Sequence, residues 1–535
     1  GRRRRRSPFV RALREHIGPL LARYPEIQER LERSRWLGDG PAMSEHDAMA
    51  AFTDDLTDLL AMAMAPDAVR ALRRFDRAGL VDALVGYASI AAMQAPHIFS
   101  LFHQNKERRF LRELQSHRTE SNGASRGGDG LKVMLFTDTL GDINGVCRFI
   151  QNMGEQVAET GRELHIVTST RFPVPDRPYI HNFDPVFATR MPKYENLELA
   201  LPPMLRMLRL ADRVQPDVIH ISTPGPVGMV GQIASKMLHT PRLGVYHTDF
   251  PAYIDHLFED AVYTRIASDF MQFFYRSFHT VFSRSDDYIE ALASHGFPRE
   301  RAMRLRPGVA LETFQPSYRD ESYWNGIEGV SAESVKVLYC GRVSVEKNLP
   351  LLTKVWPRVR GACRGAGVEA ELIVVGDGPY RKRMERELSG KGAHFLGFRH
   401  GEELSTVYAS CDLFAFPSMT DTLGQVVLES QSSGLPVIVT DQGGPKEVVA
   451  EGITGFILPG KSESAWTETI TRLATDEELR ERMGRSAHTR AQRYSIRGSF
   501  EHFWEAHEQA HRTGGRESQR NGAAAAGRAR SAPAA

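Results

Sequence analysis

A chain of 535 residues is too long for one ordinary hydrophobic core, so two large domains with further elements are expected. Its 68 Lys and Arg against 66 Asp and Glu leave a net charge of +2, which gives no electrostatic case for a nucleic-acid partner. The hydrophobic fraction of 41% and the charged fraction of 25% are ordinary for a soluble globular protein, and they exclude neither an enzyme nor a binding module.

The first residues, GRRRRR, run into Ser-Pro and then an amphipathic pattern. No apolar stretch with a small-residue cleavage site stands behind them, which argues against a secretory signal. The five arginines read as a solvated, flexible start, contact with anionic lipid or nucleic acid being the alternative. From about Pro8 to Leu114 apolar residues recur three and four apart, as in VRALREHIGPLLARY and VRALRRFDRAGLVDALVGY, so residues 1–116 are expected to be a helical region. The longest apolar run, Leu80 to Phe102, lies within it and is interrupted by Asp82, Gln94, Pro96 and His97. A spanning helix needs about 20 mostly apolar residues. The charge and the proline predict a buried helix instead, with an interfacial helix as the alternative.

Residues 117–130, HRTESNGASRGGDG, hold no large apolar side chain and are expected to be a flexible linker. The character changes at Leu131, where LKVMLFTDT reads as a strand buried on both faces of a parallel sheet. ELHIVTS, PDVIHIST, RLGVYHT and HTVFSRS follow, most of them separated by helical stretches, and residues 131–315 are expected to form a doubly wound α/β domain. A second series, VKVLYCGR, AELIVVGDG, AHFLGF, CDLFAFPS, LPVIVTD and TGFILPG, predicts another such domain over 330–480. Closing helices are expected over 481–512 and a disordered Gly-, Ala-, Ser- and Arg-rich tail over 513–535. The cysteines Cys147, Cys340, Cys363 and Cys411 have no ligand-like spacing and read as reduced core residues in a cytosolic protein, without a disulfide framework or zinc site.

Ligands of doubly wound sheets bind beyond the C-terminal ends of the strands. After VLYCG come Arg342 and, past Val-Ser-Val-Glu, Lys347, ahead of a helical segment. Two cations beside a helix N-terminus suit a diphosphate, because side chains, dipole and free N–H groups all favour negative charge. The plainer reading is a pair of surface cations neutralised by Glu346. Farther on, SMTDTLGQVVLESQSSGLP places Asp421 on a loop and Glu429 inside a helix, where both can face one pocket and accept hydrogen bonds from sugar or ribose hydroxyls. The backbone N–H groups of Leu423 and Gly424, at the helix start, suit a phosphate. Ordinary helix-start acids are the alternative. His247 alone would be a strand-end histidine. His165 and His220 read as core, and Asp286 with Asp287 as a solvated helix start.

GRVSVEKNLPLL, VVGDGPYRKRMEREL and FLGFRHGEELSTVYASCDLFAFPSMTDTLGQVVLESQSSGLPVIVTDQGGPKEVV, in that order, resemble the C-terminal half of the large family of retaining glycosyltransferases with the GT-B fold, whose members include α-mannosyl, glucosyl and sulfoquinovosyl transferases acting on lipids. TDTLGDINGVCRFIQNMGEQ looks like that family's acceptor-side glycine loop and YHTDFPAYIDH like its histidine loop, so the likeness spans about residues 131–505. The resemblance implies two Rossmann-like domains facing a central cleft, the first taking the acceptor and the second the donor, preceded here by the helical region. It implies that Arg342 and Lys347 bind the donor diphosphate and Glu429 the nucleotide ribose. Asp421, with the backbone of Thr422, Leu423 and Gly424, would hold the transferred sugar and its phosphate. His247 would stand over the sugar, Asn144 and Gly145 would border the phosphate from the first domain, and Gly376 and Asp377 would shape the nucleotide side.

The implied activity is transfer of a hexose from a GDP- or UDP-sugar to a lipid or saccharide acceptor, with retention, no metal, no cofactor and no nucleic acid, in the cytoplasm or at the cytoplasmic membrane face. Two positions depart from the family pattern: Asp421 stands where Glu is usual, and Ala310 stands where Asp commonly follows Gly-Val. A GT-B epimerase or phosphorylase is the first alternative, although the sequence shows no lysine motif for pyridoxal phosphate. A noncatalytic sugar-nucleotide-binding protein is the second, disfavoured by the joint presence of Arg342, Lys347, Glu429 and His247.

Overall fold

The computed structural model describes residues 42–74, 76–121, 130–141, 145–191, 194–247 and 261–530. The basic start, the helical pattern before residue 42, most of the expected linker and Asn144 lie outside them. The chain divides into two compact units, Gly1–Gly244 with His507–Ala535, and Val245–Ala506.

Two long helices come first, α1 (Ala42–Arg73) and α2 (Arg77–Ser121). They pack on each other through Leu56, Leu60, Ala61, Met64 and Ile90, and Gln94 Nε2 donates to Thr57 Oγ1 at 3.0 Å within that contact. The expectation of a buried helix over Leu80 to Phe102 needs correcting. α2 runs straight through Pro96, and only 18% of its most apolar stretch is buried. A helix apolar on nearly every side needs cover all round to be buried. Here its neighbours cover one side, and Val81, Leu84, Val85 and Phe99 face outward.

The α/β part follows in the order β1 (Lys132–Phe136), α3 (Gly145–Thr160), β2 (Glu163–Thr168), β3 (Ile180–Asn182), the antiparallel pair β4 (Phe187–Met191) and β5 (Tyr194–Leu201), α4 (Met204–Val214), β6 (Val218–Ile221), α5 (Pro226–Leu238), β7 (Arg242–Tyr246), α6 (Ala261–Tyr275), β8 (Thr280–Ser283), α7 (Asp286–Ser294) and β9 (Ala302–Arg304). The helical pair is tied to α4 by polar contacts: Arg209 to Asp54 at 2.9 Å, Arg206 to Asp58 at 2.6 Å, and Asn105 Nδ2 donating to Asp212 at 2.8 Å. The second series comprises β10 (Val335–Cys340), α8 (Leu349–Gly365), β11 (Ala370–Val375), α9 (Arg381–Glu387), β12 (Ala393–Gly397), α10 (Gly401–Ala409), β13 (Leu413–Phe416), α11 (Gln425–Ser432), β14 (Val437–Thr440), β15 (Gly455–Leu458), α12 (Glu463–Thr475), α13 (Glu477–Ala491) and α14 (Ile496–Arg530).

The strands form a seven-stranded sheet in the order β3-β2-β1-β6-β7-β8-β9 and a six-stranded sheet in the order β12-β11-β10-β13-β14-β15. Parallel strands covered on both faces have no wet side to alternate toward, hence the unbroken apolar runs. Every residue of β10, β11, β13 and β14 is buried. In each sheet the chain steps outward from a central strand and then crosses to its other side, which places a topological switch point between β1 and β6 and another between β10 and β13. Trp356 on α8 and Trp466 on α12 are fully buried in the core of the second sheet.

His220 is core as expected and meets His507 at 2.9 Å, whereas His165 is partly exposed between Glu163 and His181. Asp286 and Asp287 are exposed in the first turn of α7. All four cysteines are buried. The last helix continues to Arg530, past Thr513 where composition predicts disorder.

Gly376, which follows β11, has φ +115°, and a Cβ there would stand 2.1 Å from the carbonyl oxygen of Gly341. Gly361, inside α8, meets nothing within 4 Å. Gly376→Ala is therefore expected to lower the melting temperature, while Gly361→Ala raises stability by about 0.5–1 kcal/mol through helix propensity. Denaturant titration of both variants checks the pair.

Candidate active site

The loop after β10 is built to hold cations near a helix start. Gly341 has φ +148°, then come Arg342, the buried Val343 and Ser344, a single 3-10 turn over Val345–Lys347, and Asn348 in the left-handed region at φ 55°. Asn348 opens α8 without a side-chain hydrogen bond to its first turn, and its Nδ2 donates to Gly460 O at 2.8 Å. The loop after β13 ends in Gly424, φ +69°, which opens α11, again without a side-chain cap. Elsewhere in this unit Ser285, Ser462 and Asp476 cap their helices with a side-chain oxygen, while α9 and α10 also open without one. At α8 Pro350 has no N–H and Leu351 N already donates to Asn348 O at 3.0 Å, so the first turn of α11, Gln425 and Val426, supplies the backbone donors beside the loops that carry Lys347 and Asp421, where an anion suits them.

Lys347 Nζ meets Asp421 Oδ1 at 2.7 Å, joining the loops that follow β10 and β13 across the switch point. The other oxygen, Asp421 Oδ2, is buried and has no hydrogen-bond partner among the described residues. An acceptor left in that state costs about 1–3 kcal/mol until a donor reaches it. Arg342 does not share the pair. Its Nε stands 3.8 Å from Glu346 Oε1, a loose contact on a half-exposed side chain. The plainer reading of the sequence, both cations on Glu346, fits Arg342 and fails for Lys347.

Two glycines hold the Asp421 loop from the other side. Gly444 N donates to Asp421 O at 2.8 Å, and a Cβ on Gly444 would fall 1.9 Å from Thr422 O. Leu423 is buried in the core beneath. Gly376 and Asp377 shape the next loop over: Val343 N donates to Asp377 O at 3.0 Å, and the Asp377 carboxylate accepts from Gly378 N at 2.6 Å and faces Arg381 at 3.3 Å. Glu429, on α11, is 2% exposed, and its Oε2 accepts from Tyr408 Oη at 3.0 Å.

His247 follows β7 and is buried. Burial first, then the Arg284 guanidinium, push its pKa well below the ordinary histidine value. Burial also draws Arg284 down to about 10, which still leaves it charged at neutral pH. The rest of the histidine loop, residues 248–260, lies outside the described residues, as does Asn144; Gly145 is the exposed first residue of α3.

Tyr339, Tyr408, Arg284, Gly443 and Gly444 also belong to the site, without a motif that announces them. Tyr339 stands inside β10, donates to Arg342 O at 2.8 Å and stacks on Phe416 at 6.0 Å. Its alternation in an apolar strand hid a polar task. The Gly443-Gly444 pair after β14 was the signal available for the loop contact.

The first sheet contrasts at its own switch point. Asp138, after β1, is partly buried at the start of α5, accepting from Thr223 Oγ1 at 2.6 Å and Val227 N at 2.8 Å. A protein carboxylate already takes the anion position there.

Two family models match the chain: glycosyltransferase family 4 over residues 143–313 and glycosyl transferases group 1 over 324–490. The chain is 32% identical over 375 residues to the sulfoquinovosyl transferase SQD2 of Arabidopsis thaliana, covering 69% of this chain and 71% of that protein. The chain belongs to the group 1 glycosyltransferases. It is also 30% identical over 359 residues to a GDP-mannose-dependent α-mannosyltransferase of Mycobacterium tuberculosis, covering 65% of this chain and 89% of that one. In fold, this glycosyltransferase is similar to Anabaena HepE in complex with UDP-glucose, with a TM-score of 0.56 at 20% identity over 70% of this chain and 99% of the other. The architecture is GT-B, with the helical pair α1 and α2 ahead of the residues that the family models match.

The lowered His247 pKa ties stability to pH. An unfolded histidine takes up a proton near 6.5 while the folded one resists it, so the unfolded state gains protons first as pH falls. This contribution is fully present above about pH 6.5 and is lost progressively below it. Melting curves between pH 8 and pH 5 should show a smaller acid loss for His247→Gln than for the parent; parallel curves would contradict the burial of a neutral imidazole.

Proposed function

We propose that this glycosyltransferase transfers a hexose from a GDP- or UDP-sugar to a lipid or lipid-linked saccharide acceptor, with retention of anomeric configuration. One observation carries the reading: the Lys347–Asp421 pair, with Oδ2 of Asp421 buried and unpartnered, beside two uncapped helix starts at the switch point of the second sheet. A sugar hydroxyl donating to Oδ2 would satisfy the orphaned acceptor, and the diphosphate would lie against Lys347, Arg342 and the first N–H groups of α11. Glu429, with one oxygen held by Tyr408, would accept from the ribose. The filled position at Asp138 in the first sheet leaves that half to the acceptor.

Departure of the nucleoside diphosphate builds negative charge on its phosphate oxygens. Preorganised cations and N–H groups aimed at that charge lower the barrier most when they gain strength in the transition state. Lys347 and Arg342 supply this without a divalent cation, and activity should persist in EDTA. His247, neutral at pH 7, can accept a hydrogen bond from the sugar or acceptor but carries no charge. The GDP-mannose-dependent mannosyltransferase relative supports a nucleotide-diphosphate hexose as donor by analogy, and the lipid acceptor at the cytoplasmic membrane face is part of the proposal.

Incubation with a panel of UDP- and GDP-sugars, followed by NMR assignment of the product anomer, tests donor and stereochemistry together. Lys347→Ala and Arg342→Ala should each lower kcat/KM by about a hundredfold or more, the cost of one such donor being about 2.7–4 kcal/mol. Near-normal turnover in both would overturn the assignment, and turnover of donor without any acceptor would redirect it to epimerisation.

A further inference from the structure

Helix α2 carries a face that the catalytic fold does not use. Val81, Leu84, Val85, Ala88, Ala92 and Phe99 recur at helical spacing and are all exposed, a stripe roughly 27 Å long at about 1.5 Å per residue. The opposite side holds Ile90, Gln94, Leu101 and Asn105, which are buried. Gln94 is bonded to Thr57, and Asn105 to the Asp212 carboxylate on α4, so that side is committed to the protein. A helix anchored in this way cannot cross a bilayer, because the bonded amides would have to leave polar partners for hydrocarbon. It can lie on one.

The charges around the stripe say what would cover it. Between residues 78 and 102 the one charged side chain is Asp82, off the stripe. Before it come Arg70, Arg73, Arg74 and Arg77 against Asp67 and Asp76; after it come Lys106, Arg108, Arg109 and Arg112 against Glu107 and Glu113, with Arg108 paired to Asp212 at 2.9 Å, which still leaves a positive balance. Both ends of the sequence segment are therefore net cationic and its middle is apolar. Pairing of two copies along the stripe, parallel or antiparallel, would bring cationic end to cationic end. An anionic lipid surface meets both ends favourably while its acyl region takes the apolar middle.

We propose that α2 is an in-plane docking helix for a bilayer bearing anionic headgroups, with Leu84, Val85 and Phe99 as its inserted anchors. This extends the lipid-acceptor reading above by naming the surface that would bring the enzyme to such acceptors, but the docking itself does not depend on the catalytic assignment.

The test uses the full chain and sedimentation with vesicles of phosphatidylcholine alone or mixed with phosphatidylglycerol. The parent should bind the mixed vesicles, more weakly as salt rises. The triple variant Leu84→Ser, Val85→Ser, Phe99→Ser should bind at least about tenfold more weakly, because its apolar contact is lost. Its circular dichroism and its turnover of nucleotide sugar without vesicles should match the parent, since these side chains already face solvent. No binding by the parent, or equal binding by the variant, would overturn the proposal. So would a parent dimer, seen by sedimentation velocity without lipid, that the triple variant converts to monomer. Loss of soluble turnover with vesicle binding intact would count against the catalytic reading and leave the docking surface standing.

Discussion

The site is organised by one contact, the 2.7 Å pairing of Lys347 with Asp421. In solution such a pair would contribute little to stability, about 1 kcal/mol or less. Its importance is positional. It joins the loops after β10 and β13, the neighbouring strands between which the sheet reverses direction, beside a second link from Thr420 Oγ1 to Glu346 O at 3.3 Å. The arrangement also leaves an asymmetry inside one carboxylate: Oδ1 is engaged by the lysine and Oδ2 remains buried and open. A cation for phosphate and an acceptor for a hydroxyl are thereby held side by side.

Much of the surrounding backbone can be understood as what that contact requires. Gly341, Gly376 and Gly424 occupy left-handed or neighbouring conformations that other residues rarely adopt, and a side chain on Gly376 or Gly444 would strike the carbonyl of a neighbouring loop. Val343 exchanges hydrogen bonds with Asp377 and Tyr380, while Tyr339 props the carbonyl of Arg342 from within the strand. Three loops are laced together before any ligand arrives, so a bound diphosphate would meet groups already in place. Preorganisation of this kind spares the reaction the cost of ordering its own surroundings.

The strands were legible because burial on both faces writes a simple signature, as in VKVLYCG and AELIVVG, and the switch-point rule then directed attention to the residues just beyond them. Arg342, Lys347, Asp421 and Glu429 were found that way, but their pairing was not. Lys347 and Asp421 are 74 positions apart, and no local pattern distinguishes that partner from the adjacent Glu346. Tyr339 and Tyr408 were hidden for the opposite reason: each lies in an apolar context where its ring suffices to explain it, and only the geometry shows what the hydroxyl holds. The β4–β5 pair is not legible in the sequence, because YENLELAL mixes polar and apolar residues without a clean buried run. The exposure of α2 is not legible, because composition reports how apolar a helix is and not how many neighbours it has. The family likeness supplied roles for His247, Asn144 and Gly145 that the residues alone could not.

A double-mutant cycle on donor turnover asks most directly whether the pair acts as a unit. If Lys347 and Asp421 jointly seat the activated sugar, Lys347→Ala and Asp421→Asn should each be severe, and the double variant should have a kcat/KM close to that of the worse single variant. Losses that simply multiply would show two independent residues, and the account of the site built on their contact would fail.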